Sequence, residues 1–153
     1  MSIDVSVGSE NISLSMVPMI NSGFSGLYDV SCEACQHVYQ KYNVSGSNSS
    51  MNGTNNITQI TYNEFTGFIE GKAIKDSFCL KSQANNTLTC DQNNTSTFYE
   101  FFLIVNTTRT ENKDGFIGLA PGEYGFKSYP EYLIDRKVIS KNTVGMKANE
   151  LKT

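Results

Sequence analysis

The chain has 153 residues and a net charge of −3; 39% of its residues are hydrophobic and 18% are charged. This length favours a single domain, residues 1–153, with a hydrophobic core, and the composition argues against wholesale disorder. The acidic balance and the lack of a Lys/Arg cluster argue against a nucleic-acid partner. The longest apolar run, around Phe98 to Val105, is far below the roughly 18 residues of a membrane-spanning helix, so we expect no membrane span.

A β-hairpin is predicted at the N-terminus. Ile3 to Val7 and Ile12 to Met16 alternate apolar and polar residues, which is the period of a half-buried strand, and a turn cluster at 8–11 separates them. Pro18 then limits where the next strand can pair, because proline has no N–H to donate.

The stretch from Met19 to Tyr28 is typical of a strand that ends in a tight loop. Two apolar residues run into the small-residue turn Asn21-Ser22-Gly23, and a second apolar pair follows. Hydrolases present reactive groups at the tips of such loops, and the polar residue here is Asn21. The simpler interpretation is an ordinary turn asparagine that its own backbone satisfies.

The four cysteines are Cys32, Cys35, Cys79 and Cys90, and we expect them to form disulfides. Three pairings are open, of which the local one, Cys32–Cys35 with Cys79–Cys90, is the simplest. A zinc site would need a second closely spaced ligand pair, and a redox motif would need a strand before it and a long helix after it. We therefore expect neither a metal nor a cofactor.

The middle of the chain predicts a loop and then a second hairpin. Asn43 to Asn56 is almost entirely Ser, Asn and Gly, which favours a solvated loop. Ile57 to Tyr62 and Phe65 to Gly71 are rich in β-forming residues, and Asn63-Glu64 forms the turn between them. This hairpin carries Tyr62 near its tip. The simpler interpretation of Tyr62 is an aromatic residue that packs across the strands.

The last third predicts two strands and one helix. Thr97 to Val105 is the strongest apolar strand in the sequence, and Asp114 to Ala120 is a short buried strand. A helix is predicted from Tyr129 to Lys137, with Ser128 as its N-cap and basic residues near its end. The fold class is therefore mainly β, a barrel or sandwich of hairpins with one short helix.

Sequons indicate a secreted or lysosome-like compartment, although Met1 to Val5 lack the features of a signal peptide. We therefore expect the chain to begin inside a longer precursor. The Asn-x-Ser/Thr sequons begin at Asn11, Asn43, Asn48, Asn52, Asn56, Asn85, Asn93, Asn94 and Asn106.

Six features occur in an order that resembles the N-terminal lobe of a pepsin-like aspartic peptidase, over nearly the whole chain. The family's opening motif is Asp-Thr/Ser-Gly-x-Ser, followed by an apolar and an aromatic residue. The matching features here are Asn21-Ser22-Gly23-Phe24-Ser25 with Leu27-Tyr28, the cysteine pair Cys32/Cys35, the hairpin with Tyr62, the strand Phe101 to Val105, Asp114-Gly115-Phe116-Ile117-Gly118-Leu119, and the helix at Tyr129 with Lys137 to Ser140 after it.

The resemblance implies a site. In the family, two lobes each supply one Asp, and the pair shares a proton while activating water against the scissile bond. It places Asn21 at the position of the first catalytic Asp. The residues implied to bind a peptide or protein substrate in the cleft are Ser22, Gly23, Ser25 and Tyr62, and those implied to support the loop are Phe116, Ile117 and Gly118.

The sequence departs from the family in three places. Asn21 is an amide and cannot act as a base. The hairpin tip after Tyr62 is about two residues shorter than the family's glycine-rich tip, and no second Asp-Thr/Ser-Gly occurs in the chain. We therefore expect a fragment of a longer two-lobe chain with little or no peptidase activity. The alternative is a non-enzymatic secreted glycoprotein that binds peptides or proteins in the cleft.

Overall fold

The computed structural model describes residues 2–36, 38–62, 67–83, 90–108 and 113–141. The predicted turn at 63–64, the single histidine and the sequon at Asn85 lie outside these ranges. The described elements are the strands β1 (Ile3–Val7), β2 (Ile12–Met19), β3 (Gly26–Tyr28), β4 (Met51–Asn52), β5 (Gln59–Tyr62), β6 (Gly67–Asp76), β7 (Phe78–Leu80), β8 (Tyr99–Thr107) and β9 (Gly115–Gly118), the 3₁₀ helices Lys81–Gln83 and Thr95–Thr97, and the helix α1 (Tyr129–Asp135).

The prediction of a mainly β fold with one short α-helix is confirmed. The described strands form one mixed nine-stranded sheet. Their order is β4-β6-β8-β3-β9-β2-β1-β7, and β5 pairs with β6 as well. The pairs β2–β9 and β3–β8 are parallel, which makes the sheet mixed.

The N-terminal hairpin is confirmed. β1 and β2 pair antiparallel, with Val7 opposite Ile12 at the turn and Ile3 opposite Met16 at the far end. The turn needs two residues with positive φ, and Gly8 at 78° and Asn11 at 52° supply them. Gly and Asn adopt this conformation more readily than most residues.

The second hairpin is confirmed in the pairing of β5 with β6, but the predicted end of its return strand at Gly71 is wrong. β6 continues to Asp76 and shifts register by a bulge between Glu70 and Gly71. A Cβ at Gly71 would lie 1.7 Å from the carbonyl oxygen of Leu103. The glycine therefore marks a close approach of two backbones inside a strand, not a strand end.

The prediction of a solvated loop at 43–56 is wrong in part, because some of this segment folds against the sheet. β4 lies within it and pairs with β6. Asp76 is fully buried, and its carboxylate accepts hydrogen bonds from Tyr42 Oη at 2.5 Å, Ser47 Oγ at 2.7 Å, Ser49 Oγ at 2.5 Å and the Ser77 N–H at 2.8 Å. The serine hydroxyls that suggested solvation thus satisfy a buried carboxylate.

A second buried carboxylate holds the chain just before this segment. Asp114 accepts hydrogen bonds from the backbone N–H of Ser15 at 2.8 Å and of Gln40 at 2.9 Å. It therefore links β2 to the irregular region that follows β3. Asp114 was predicted to belong to a structural segment, and its partners show how it contributes to the packing.

Two hydrophobic clusters lie on opposite sides of the central strands. Successive residues alternate between the clusters, so β3, β8 and β9 are buried on both faces. The alternating pairs are Leu27 and Tyr28, Phe102 and Leu103, and Phe116 and Ile117.

The helix begins as predicted and ends two residues early. Ser128 and Glu131 form a capping box, in which the Ser128 N–H donates to Glu131 Oε1 at 3.0 Å and the Glu131 N–H donates back to Ser128 Oγ at 3.4 Å. Lys137 has a φ of 60°, and the Val138 N–H donates to the Leu133 carbonyl at 2.9 Å. This Schellman-type closure ends the helix before Lys137.

The cysteines adopt the local pairing. Cys32 bonds to Cys35 and Cys79 bonds to Cys90, and the described residues contain no free cysteine. A zinc site at these positions would need free thiolates, whereas all four sulfur atoms are in disulfides.

Candidate functional site

The residues that the sequence predicts as a site, apart from Tyr62, meet where β2 ends. We call residues 20–25, between β2 and β3, the Asn21 turn. The Ser22 hydroxyl donates to the Phe24 carbonyl at 2.8 Å and accepts the Phe24 N–H at 3.4 Å. This local loop of hydrogen bonds is the serine counterpart of an Asx turn, and Ser22 is buried.

Strand β9 lies between the two strands that the Asn21 turn connects. It pairs parallel with β2 and antiparallel with β3, so the two strands on either side of the turn do not pair with each other. Beyond β9 the same contact continues, since the Leu119 N–H donates to Met19 O at 3.0 Å and the Ala120 N–H to Ser22 O at 2.9 Å. The segment after β9 therefore runs directly along the turn.

Two glycines permit this close approach. A Cβ at Gly23 would lie 2.0 Å from the carbonyl oxygen of Pro121, and a Cβ at Gly118 would lie 2.3 Å from the carbonyl oxygen of Phe24. Either contact is far inside van der Waals distance, so both positions require glycine. Gly23 and Gly118 thus allow the Asn21 turn and the segment around β9 to pack backbone against backbone.

Ser25 anchors the far end of the turn through a chain of hydroxyl groups. The Gly118 N–H donates to Ser25 Oγ at 2.9 Å, Ser25 Oγ lies 2.9 Å from Tyr99 Oη, and Tyr99 Oη donates to Lys127 O at 3.0 Å. Because Tyr99 uses its proton on Lys127, the Ser25 hydroxyl donates to Tyr99. Ser25 is fully buried, so it positions the turn.

Burial keeps the Tyr99 hydroxyl of this hydrogen-bonded series protonated. Desolvation raises the pKa of the Tyr99 hydroxyl well above its usual range, the Glu131 carboxylate adds to that rise, and the hydrogen bond from Ser25 opposes it. The hydroxyl therefore remains a donor at every physiological pH.

Phe24 fixes the turn to the second hydrophobic cluster. The structure buries its side chain to 2% exposure. Its ring lies 5.3 Å from that of Phe116 and 5.7 Å from those of Tyr124 and Phe126, at angles typical of aromatic packing.

Asn21 itself is exposed, and its side chain makes no hydrogen bond to the described residues. The preceding residue, Ile20, is 71% exposed. The turn thus presents a neutral amide and an aliphatic side chain to solvent. An amide can donate and accept hydrogen bonds but cannot take a proton from water.

Glu123 is a residue of this site that sequence reasoning missed. Its Oε1 accepts the Gly23 N–H at 2.8 Å, across a separation of 100 residues. Its side chain is half-buried, and the next residue, Tyr124, is 48% exposed. No local pattern connects Glu123 to the turn, because the contact depends on β9 lying beside β2.

Tyr62 is placed only by its backbone. It is the last residue of β5 and pairs with Gly67 across the hairpin, while its side chain lies outside the described part of the structure. Its implied role in substrate binding stays a prediction.

A groove of about 320 Å³ lies elsewhere, between α1 and the edge of β6 and β8. Four of its charged side chains are paired, because Lys127 bonds to Asp135 and Lys75 lies 4.0 Å from Glu100. These four side chains therefore leave no unpaired charge for a ligand.

Two further findings apply to the described ranges only. No three or more His, Cys, Asp or Glu side chains there converge as metal ligands. No α-helix among those residues is long and apolar enough to cross a bilayer.

Comparison with models of known protein families and with characterised proteins gave no match. The functional interpretation therefore depends on the site itself.

Proposed function

We propose that the chain is a pepsin-like aspartic peptidase lobe that has lost its catalytic acid and retains little or no peptidase activity. The observation that carries this proposal is the insertion of β9 between β2 and β3, with Gly118 against the Asn21 turn. It supports the proposal because the resemblance implies that Phe116, Ile117 and Gly118 pack against the active-site loop.

The loss of the acid follows from side-chain chemistry. Asn21 retains the size and hydrogen-bonding groups of Asp, yet general acid–base catalysis, worth about 10²–10⁴-fold in rate, needs a proton that it cannot exchange. The family also places a second acid on a second lobe. A lobe with Asn21 therefore keeps the binding surface and loses the reaction.

An activity assay tests this proposal. The purified protein is incubated at acid pH with a denatured protein substrate, beside an active pepsin-like peptidase as a positive control. We expect the substrate to stay intact with this chain. Cleavage that a transition-state peptide analogue blocks would contradict the proposal.

The second candidate is a non-enzymatic secreted glycoprotein that binds peptides at the same surface. It is supported by the two disulfides, by the exposed Ile20 and Tyr124 beside the turn, and by the exposure of seven sequon asparagines. These are Asn11, Asn48, Asn52, Asn56, Asn93, Asn94 and Asn106.

Two observations separate the candidates. A second Asp-Thr/Ser-Gly in the transcript beyond Thr153 would favour a two-lobe peptidase ancestor with one acid lost. Secretion with a mass decrease on enzymatic removal of N-glycans, together with saturable peptide binding, would favour the glycoprotein. An unglycosylated product from a secretory host would argue against the second candidate.

A further inference from the structure

The carboxylate of Glu123 is only partly used by the fold. One oxygen, Oε1, accepts the Gly23 N–H at 2.8 Å, and the described residues provide no hydrogen bond to the other oxygen. A carboxylate has about four acceptor positions, so most of its hydrogen-bonding capacity is not used by the described residues. The single backbone contact fixes the direction in which the carboxylate points.

Glu123 also has no cation partner among the described residues. The ion pairs there join Lys75 to Glu100 and Lys127 to Asp135. A half-buried carboxylate beside a neutral turn attracts a positive charge more strongly than a fully solvated one, because the surrounding dielectric constant is lower. The chain's net charge of −3 acts in the same direction.

The exposed residues of the turn that Glu123 contacts, and the residue that follows Glu123, are apolar or neutral. Ile20, at 71% exposure, and Asn21 belong to the turn that Glu123 contacts. Tyr124, at 48% exposure, packs its ring against Phe24 of the same turn. An exposed aromatic ring beside a carboxylate favours a cation with an aliphatic stem, since the stem contacts the ring and the charge pairs with the carboxylate.

We propose that this surface, formed by Ile20, Asn21, Glu123 and Tyr124, binds peptides through a basic side chain. The Lys or Arg of the peptide pairs with the open oxygen of Glu123, and an adjacent apolar residue contacts Tyr124 and Ile20. The inference deepens the proposed function and rests on its peptide-binding part. It assigns the ligand class and names Glu123 as the residue that determines specificity.

The test uses three fluorescent peptides that share an apolar flanking sequence and differ only at the central residue, which is Lys, norleucine or Glu. Norleucine keeps the aliphatic stem and removes the charge. Dissociation constants are measured by fluorescence anisotropy for the full chain and two variants. Glu123→Gln keeps an Oε1 acceptor for the Gly23 N–H and removes the charge, so the turn retains its hydrogen bond.

Glu10→Gln is the matched control. It removes the same charge at an exposed position before β2, whose eight residues separate it from the Asn21 turn by about 25 Å. Thermal unfolding of both variants checks that they fold as the unaltered protein does.

We expect the Lys peptide to bind the unaltered protein about tenfold more tightly than the norleucine peptide, and the Glu peptide to bind most weakly. The preference for Lys should fall to about twofold in Glu123→Gln and persist in Glu10→Gln. Raising the salt concentration should weaken it in the unaltered protein.

Two results would overturn the proposal while peptide binding stands: equal binding of the three peptides, or a preference for Lys that survives Glu123→Gln. If none of the peptides binds, the peptide-binding function is itself wrong and the proposal falls with it.

Discussion

The Asn21 turn and the serine-rich segment (residues 43–53) have nearly the same composition and are held by different forces. Both combine Asn, Ser and Gly. In the turn, backbones meet because Gly23 and Gly118 have no side chains. In the serine-rich segment, Ser47 and Ser49 donate to the buried carboxylate of Asp76. Composition predicts an irregular loop in each case, and only the partner across the fold decides what fixes it.

The largest effect is expected at Asp76. Asp76→Ala removes the acceptor of three hydroxyl groups and one N–H in a site that water does not reach, which should lower the free energy of unfolding by about 4 kcal/mol. Chemical denaturation measures the loss, and limited proteolysis should first cut within residues 43–53. Asp4→Ala, at an exposed position of β1, is the control and should change stability by less than about 0.5 kcal/mol. Equal losses in the two variants would show that Asp76 does not hold the segment.

The other half of the comparison is tested by adding a methyl group at two glycines, one that packs against the Asn21 turn and one within the serine-rich segment. Gly118→Ala places a Cβ 2.3 Å from a backbone oxygen and should destabilise the protein by about 3 kcal/mol. Gly46→Ala, in the serine-rich segment, meets first the Asn43 side chain, which can move, and should cost less than about 1 kcal/mol. Denaturation midpoints at neutral pH measure both. If Gly46→Ala were the worse variant, close backbone packing would not be the feature that distinguishes the turn.

Removing one hydroxyl group tests the hydrogen bonds that join Ser25 to Tyr99 and Lys127. Tyr99→Phe removes the acceptor of the Ser25 hydroxyl proton and the donor to Lys127 O, and should cost about 1.5 kcal/mol at neutral pH. Tyr39→Phe removes the hydroxyl of a residue that is 93% exposed and should be neutral within about 0.5 kcal/mol. A crystal structure of Tyr99→Phe with the turn unmoved and its stability unchanged would refute the positioning role of Ser25.

The local elements of this fold could be predicted from the sequence, because alternation, turn residues and caps act over a few positions. The hairpin of β1 and β2 and the Ser128 cap are confirmed in this way. The predicted strand end at Gly71 was wrong, since a glycine can mark either a turn or a close approach of backbones. Only the neighbouring strand β8 distinguishes the two.

The candidate site could be predicted only in part. The Asn21 turn was visible as a strand that ends in small residues, but its partners were not. Glu123 contacts Gly23 from 100 residues away, and Tyr99 contacts Ser25 from 74 away. The Glu123 contact depends on β9 pairing with β2, and the Tyr99 contact depends on β8 pairing with β3. Both pairings are parallel, and a parallel pairing leaves no local pattern in the sequence.

The smallest effect is expected, per pH unit, in the share that one buried tyrosine contributes to the pH dependence of stability. Burial raises the pKa of Tyr132 to about 12 and raises the pKa of Tyr99 further, against about 10 in an unfolded chain. The folded state therefore keeps protons that the unfolded state releases above pH 10. The stabilisation that results is complete below about pH 10 and falls as the pH rises, by about 1.4 kcal/mol per pH unit for each such tyrosine. Denaturant titrations between about pH 9 and 12 should show this decline, and Tyr99→Phe should reduce its slope by one tyrosine's share. A slope that Tyr99→Phe leaves unchanged would mean that this hydroxyl reaches solvent, and the buried hydroxyl chain behind the Asn21 turn would then be wrong.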